Sequence, residues 1–216
     1  MSRYQWEPDT GVSGRYRDTR TGRFVNGRVV RAELDIYLTN SDDAAAILAQ
    51  QLRDRGISLA DWELAMRREI KRTHLNAIAM QRGGWANMTP ADYGRAGQII
   101  REQYAYLRNF VNDISTGKQR LDGTLNVRAK LYTQAGRTSY YKSVQANRQA
   151  RITHVMSRRT ARDSCRSCIE LDRVWFRIGD PRYRLPGQRE CRSNCQCHET
   201  YGAFGDDGEL VEVETI

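Results

Sequence analysis

The sequence predicts a mainly α fold: an antiparallel helical bundle, then a small β-rich module, with an extended arm at the N-terminus. Three observations carry this expectation. Apolar residues recur at helical spacing through the middle of the chain, the pattern changes to short apolar runs around cysteines after Ala150, and the first residues are polar with scattered aromatics. The boundaries fall at 1–27 for the arm, 28–150 for the bundle, 151–204 for the cysteine-rich module and 205–216 for an acidic tail.

In the arm, Tyr4, Trp6, Tyr16 and Phe24 stand among glycines and arginines. The stretch GRYRDTRTGRF reads as two short extended pieces around a turn, or as an arm that orders on a partner. By itself it buries too little surface to fold.

The bundle follows. Ser41 is placed to cap a helix over about 42–55 that ends at Gly56. Ser58 starts a second helix with Asp61 in its first turn, which stops at Gly83-Gly84 and carries Trp62, Met66, Ile70, Thr73 and Ala77 on one face. A third opens with Thr89 as cap, Pro90 as first residue and Asp92 facing the positive helix end. Along it Tyr93, Gly97, Ile100, Tyr104, Leu107, Val111 and Ile114 form a heptad-like seam, closed by Gly117. A fourth helix is expected from Leu125 to Gln149, with Val127, Leu131, Ala135 and Val144 inward and Tyr132, Tyr140 and Tyr141 at the rim. Short connections make these neighbours antiparallel.

Beyond Ala150, ITHVMS, RVWFRI and CQCHETYG read as three strands, with GDPRYRLPG as a loop between them. They surround all five cysteines. Cys165 and Cys168 form a Cys-x2-Cys knuckle, whose tight turn brings two sulfurs to one side. After twenty-two intervening residues comes Cys191, then Cys195 after three more and Cys197 after one. Two residues apart on a strand, Cys195 and Cys197 share a face; Cys191 and Cys195 around RSN would instead make a second knuckle. Either pair completes a four-thiolate tetrahedron, so the module is expected to bind one structural zinc ion. Cys165, Cys168, Cys191, Cys195 and Cys197 are all candidate ligands, and Cys195 serves in both arrangements. The choice between Cys191 and Cys197 stays open.

At 216 residues the chain can bury a core without disulfides. Its apolar fraction of 39% and mean hydropathy of −0.73 set a modest interior. MSRYQWEPD shows no apolar run behind its charge, so no signal peptide is expected, and AAAIL at 44–48 is far too short to span a membrane. The reading is of a protein made in a reducing compartment, where cysteines favour metal or redox chemistry over disulfides. Net charge is +9 although the last eleven residues carry five acids and no base. Between residues 148 and 166 seven arginine-or-histidine positions face one aspartate. Such a field favours phosphate or an acidic protein surface.

Catalytic constellations are sparse. His74, His154 and His198 stand apart and read as structural, with His154 or His198 placed to support a metal ligand. No Walker A, GxSxG or HExxH pattern occurs. Glu69-Ile70-Lys71 has the Glu-x-Lys form of some metal-dependent nucleases but lies within a helical pattern. A thiolate-rich site is normally closed, which argues against catalytic zinc. The chain is expected not to be an enzyme.

The segment SRRTARDSCRSCIELDRVWF followed by LPGQRECRSNCQC resembles the C-terminal module of phage minor head proteins, the head morphogenesis group that includes the Mu F-like proteins. The matching features are Arg159-Thr160, Cys165 with Cys168, Val174-Trp175-Phe176, the loop from Pro181 to Pro186, and Cys195 with Cys197. That family usually places a histidine three residues before its Cys-x-Cys; here Cys191 stands four before Cys195. The resemblance is close over the cysteine module and only stylistic over the helices. It implies a structural minor head or neck protein of a tailed bacteriophage, made in the host cytoplasm and carried in several copies in the virion. Its role would lie in head assembly, DNA packaging or delivery near the portal. Its implied partners are the portal or major capsid protein, with packaged DNA as a further contact and no membrane. The alternative is a zinc-containing nucleic-acid-binding protein that presents Arg158, Arg159, Arg162 and Arg166 to phosphates.

Overall fold

The computed structural model describes residues 3–8, 14–148, 152–160, 162–191, 195–204 and 208–215. It is mostly helical, with two antiparallel sheets and a cysteine cluster near the C-terminus.

Helix α1 (Gly27–Arg53) starts well before the expected 42. Asn26 accepts the Val29 amide as its cap, and Val30, Leu34, Leu38, Ser41, Ala45, Ala49 and Leu52 form one buried stripe along its length. Ser41 is therefore an interior residue and not a cap. Its small side chain fits the packed stripe, and that stripe outweighs its capping preference.

Helix α2 (Leu59–Arg82) follows the sequence closely. Ser58 caps it, Gly83 ends it at φ +79°, and Trp62, Met66, Ile70, Thr73 and Ala77 are all buried. After a short 3-10 turn at Trp85–Asn87, α3 (Pro90–Ser115) begins with a reciprocal cap between Thr89 and Asp92. Arg82 at the end of α2 donates to Asp92 at 2.8 Å, so the two helix ends are pinned together. The inward face of α3 is rotated from the expected seam. Ala96, Ile99, Ile100, Leu107 and Phe110 are buried, whereas Tyr93 and Gly97 face outward.

The single helix expected from 125 to 149 is two, α4 (Gly123–Gln134) and α5 (Gly136–Arg148). At their joint a Cβ on Gly136 would come within 2.7 Å of Thr73 Cγ2 and 2.9 Å of Leu38 Cδ2. The break falls where α1 and α2 press closest on this segment. Val127, expected inward, is 66% exposed, while Tyr132, Tyr140 and Tyr141 leave the rim for the core. The rings supply the volume that the small residues of this segment lack.

The expected N-terminal arm is a docked sheet. Strands β1 (Tyr4–Pro8), β2 (Gly14–Asp18) and β3 (Phe24–Val25) pair antiparallel in that order. Ion pairs from Arg3 to Asp18 and from Arg17 to Glu7 brace it. Tyr4 and Tyr16 are buried against Val30, Leu34 and Tyr140, and this shared core supplies the burial that the stretch lacks alone.

The second sheet has the order β5-β4-β6-β7, all antiparallel. Its strands are β4 (His154–Arg158), β5 (Trp175–Arg177), β6 (His198–Phe204) and β7 (Leu210–Thr215), and a short helix α6 (Arg166–Glu170) lies between β4 and β5. The part of the expected acidic tail that is described is thus an edge strand: Leu210, Val211 and Glu212 pair along β6, and Glu212 binds Arg158. A Cβ on Gly202 would meet the Trp175 ring at 2.8 Å, so the indole of β5 reaches over β6 where the glycine leaves room.

One core joins both ends of the chain. Tyr4, Tyr16, Val30, Leu34, Tyr140, Tyr141, Val144, Ile152, Val155, Leu185 and Tyr201 form a continuous cluster, so the second sheet packs on α1 and α5. A second cluster, around Trp62, Met66, Leu107, Phe110, Leu125 and Tyr132, fills the remaining helices. Among the described residues no helix is long and apolar enough to cross a membrane.

The docked sheet can be tested by urea denaturation. Tyr16→Ala should lower stability by about 3 kcal/mol, whereas a free arm would leave the unfolding midpoint unchanged.

Candidate metal centre

Three separate segments bring the cysteines together. Cys165 is the N-cap of α6 and Cys168 lies within it, with the Cys168 amide donating to the Cys165 carbonyl at 3.0 Å. Cys191 arrives on the turn that follows the long loop, and Cys195 and Cys197 lie just before β6. Because β6 begins at His198, Cys195 and Cys197 are loop residues. The expectation that strand alternation places both on one face therefore lapses, yet the loop still turns both inward.

Hydrogen bonds fasten the segments to each other. Ser167 Oγ accepts the Glu190 amide at 3.1 Å, and the Ser167 amide donates to Glu190 Oε2 at 3.3 Å. Thr160 Oγ1 donates to the Gln196 carbonyl at 2.7 Å. The knuckle is thus held against the second cysteine segment by backbone contacts that do not involve sulfur.

Cys168 sits at the centre. Its Sγ lies 3.5 Å from Cys191 Sγ and 3.9 Å from Cys195 Sγ. A tetrahedral thiolate site with metal–sulfur bonds of about 2.3 Å has sulfur–sulfur edges of about 3.8 Å. The ligand atoms of Cys165, Cys168 and Cys191 lie within 4.8 Å of one another, as do those of Cys168, Cys195 and Cys197. The five cysteines can therefore hold a metal ion, and all five are free thiols.

Sequence reasoning missed the cation beside them. Arg189 is only 1% exposed. Its Nη1 donates to Ser157 Oγ at 2.7 Å and approaches Cys168 Sγ at 3.9 Å, its Nε donates to the Arg184 carbonyl, and its Nη2 donates to Tyr183 Oη at 3.2 Å. Tyr183 in turn donates to the fully buried Glu199, which also accepts from Tyr201. Burial, against these hydrogen bonds and the Arg189 charge, lifts the Glu199 carboxyl to about 7. In a chain with 35 lysines and arginines, nothing local marks Arg189 as the buried one.

Crowding splits the thiols. The hydrogen bond from Cys197 and the charge of Arg189 pull Cys195 down to about 4. That thiolate and burial then push Cys197 up, while burial followed by the Cys195 charge raises Cys168 and Cys191. At Cys165, burial is outweighed by hydrogen bonds from Ser167 and the Cys168 amide, leaving it at about 7. So much sulfur in one small volume cannot all ionise unless a cation joins it.

Three of the four candidate arginines lie beside carboxylates of the chain. Arg158 pairs with Glu212, Arg159 with Asp172 and Arg166 with Glu170. Arg162 is exposed. The structure thus commits three of the four to the chain's own carboxylates. Of the histidines, His154 stacks edge-on against Phe204 and His198 is buried at the start of β6. His74 is fully buried, with Nδ1 at 2.7 Å from Ser139 Oγ. Glu69 is buried and paired with Arg72, while Lys71 is exposed.

Comparison with protein-family models, with curated proteins and with solved structures finds no match.

Two outcomes follow from this geometry. Cobalt titration followed by thiolate charge-transfer absorption should show binding abolished in Cys168→Ser, the one cysteine in both sulfur groups, but retained in at least one of Cys191→Ser and Cys197→Ser. Unchanged affinity in Cys168→Ser would contradict the arrangement. Separately, burial and then the Lys142 charge hold His74 at about 4 against an ordinary value of 6.5. The unfolded chain therefore takes up this proton first as pH falls. Folding stability should drop from about pH 6.5 toward 4 and level off below, and His74→Gln should flatten that part of the slope.

Proposed function

We propose that this chain is a non-enzymatic structural protein of the minor head or neck of a tailed bacteriophage, whose C-terminal sheet is locked by one zinc ion. The observation that carries this reading is the convergence of the Cys165–Cys168 knuckle on Cys191, Cys195 and Cys197. A donor set made of thiolates selects zinc among the common divalent ions of a reducing compartment, and a closed four-sulfur shell leaves no position for substrate. Cys165, Cys168 and Cys195 supply three ligands, and Cys191 or Cys197 the fourth. Arg189 offsets part of the negative charge of such a centre.

The helices act as an antiparallel bundle that gives the protein its shape, and the zinc-bound sheet completes the end formed by α1 and α5. The sequence resemblance over the cysteine module supplies the phage setting, with portal or capsid protein as partner and several copies in each virion. A regulator that grips nucleic acid through Arg158, Arg159 and Arg166 is less well supported, because each of the three already has a carboxylate partner.

Purified particles provide the test. Quantitative mass spectrometry should find a handful of copies per particle, and imaging should place them at the neck. Absence from the mature particle, or hundreds of copies spread over the capsid, would overturn the reading. In the isolated chain, a zinc chelator should first remove hydrogen-exchange protection from β4, β5 and β6, while α2 and α3 stay protected.

A further inference from the structure

A cavity of about 300 Å³ opens between α2, α3, α5 and the turn after β5, on the helical side of the molecule. Its polar wall comes from α3 and α5: Arg95, Lys142, Ser139 and Ser143. Its apolar wall includes Ile99 and Ile178. Among the described residues no acidic side chain lines it.

Its polar groups are held in place from behind. Ser139 Oγ is bonded to the buried His74 ring. Ser143 Oγ donates to Gln81 Oε1 at 2.9 Å and accepts from Asn147 Nδ2 at 3.0 Å. Arg95 is fixed by Asp92 and by Asn147 Oδ1, the latter at 3.0 Å. Each of these supports belongs to α2, α3 or α5, so the wall is built on helices and not on a loop.

Charge in the cavity is left unbalanced. Asp92 serves both Arg82 and Arg95, so one carboxylate answers two guanidiniums. Among the described residues Lys142 pairs with no carboxylate, and Arg95 Nε is buried with no hydrogen-bond partner. A half-buried ammonium with no carboxylate partner among the described residues, in one cavity with the Ile99 and Ile178 side chains, suits a ligand with an anionic head and an apolar body.

We propose that this cavity is a binding site for a small organic anion carrying a sulfonate, carboxylate or phosphate head on an apolar or aromatic frame. The head lies between Lys142 and Arg95, and the frame lies along Ile99 and Ile178. The site is separate from the cysteine cluster and does not depend on the metal or on the phage reading.

The probe is 1-anilinonaphthalene-8-sulfonate, titrated by fluorescence into the folded, metal-loaded full chain. The wild type should show one saturable site. Lys142→Ala should weaken it by about tenfold or more, and Gln98→Glu, which puts a carboxylate on the exposed lip of the cavity, should do the same. Lys118→Ala, in the exposed turn beyond the end of α3, should leave it unchanged. The uncharged analogue N-phenyl-1-naphthylamine should bind the wild type at least about tenfold more weakly. Circular dichroism of each variant keeps loss of the site distinct from loss of the fold. Wild-type affinity in both folded Lys142→Ala and folded Gln98→Glu, equal binding of the uncharged analogue, or only unsaturable binding by the wild type would each overturn the proposal.

Discussion

Five thiols gather beside one buried guanidinium, and that crowding is the constraint on which the cysteine module depends. Among the described residues the buried cluster at this place consists of cysteines. Among the described residues between the end of α6 and Cys195, the regular structure is the three-residue strand β5. Leu185, with Phe176, Ile178 and Tyr183 packed beside it, ties this loop to the shared core, while the segments at its two ends meet through cysteine. Sulfur brought to within 3.5 Å and 3.9 Å of Cys168 asks for a cation in return.

The contacts of the cysteine cluster do not stop at sulfur. From Cys168 the contacts run through Arg189 to Tyr183, then to Glu199 and Tyr201. Tyr201 belongs to the cluster that holds Val30, Leu34, Tyr140 and Tyr16. A polar chain thus leads from the sulfur atoms to a core shared by the N-terminal sheet, α1 and α5. Within such a buried network each member is costly to leave unpaired.

Much of this was legible in the sequence where the signal was local. The cap at Ser58, the Thr89-Pro90-Asp92 start and the left-handed Gly83 stop each rest on a few adjacent residues, and each is present in the structure. The five cysteines were legible as one centre because their residue type is rare and their spacing tight. Where long-range packing decides, the reading failed. Ser41 has the residue type of a cap, and only the stripe from Val30 to Leu52 shows that it is interior. Tyr4 and Tyr16 look isolated along the chain because their partners are Val30 and Tyr140. Glu212 reads as part of an acidic tail until Arg158 is seen across the sheet from it. Arg189 is the furthest from view, since its significance lies in burial that no pattern of neighbours announces.

The central claim is that these sulfurs enclose one zinc ion. X-ray absorption at the zinc edge, on full-length protein purified without added metal, tests it most directly. The account predicts about one zinc per chain with four sulfur neighbours at about 2.3 Å. A shell rich in oxygen or nitrogen, or a metal-free protein with the same C-terminal fold and stability, would contradict it.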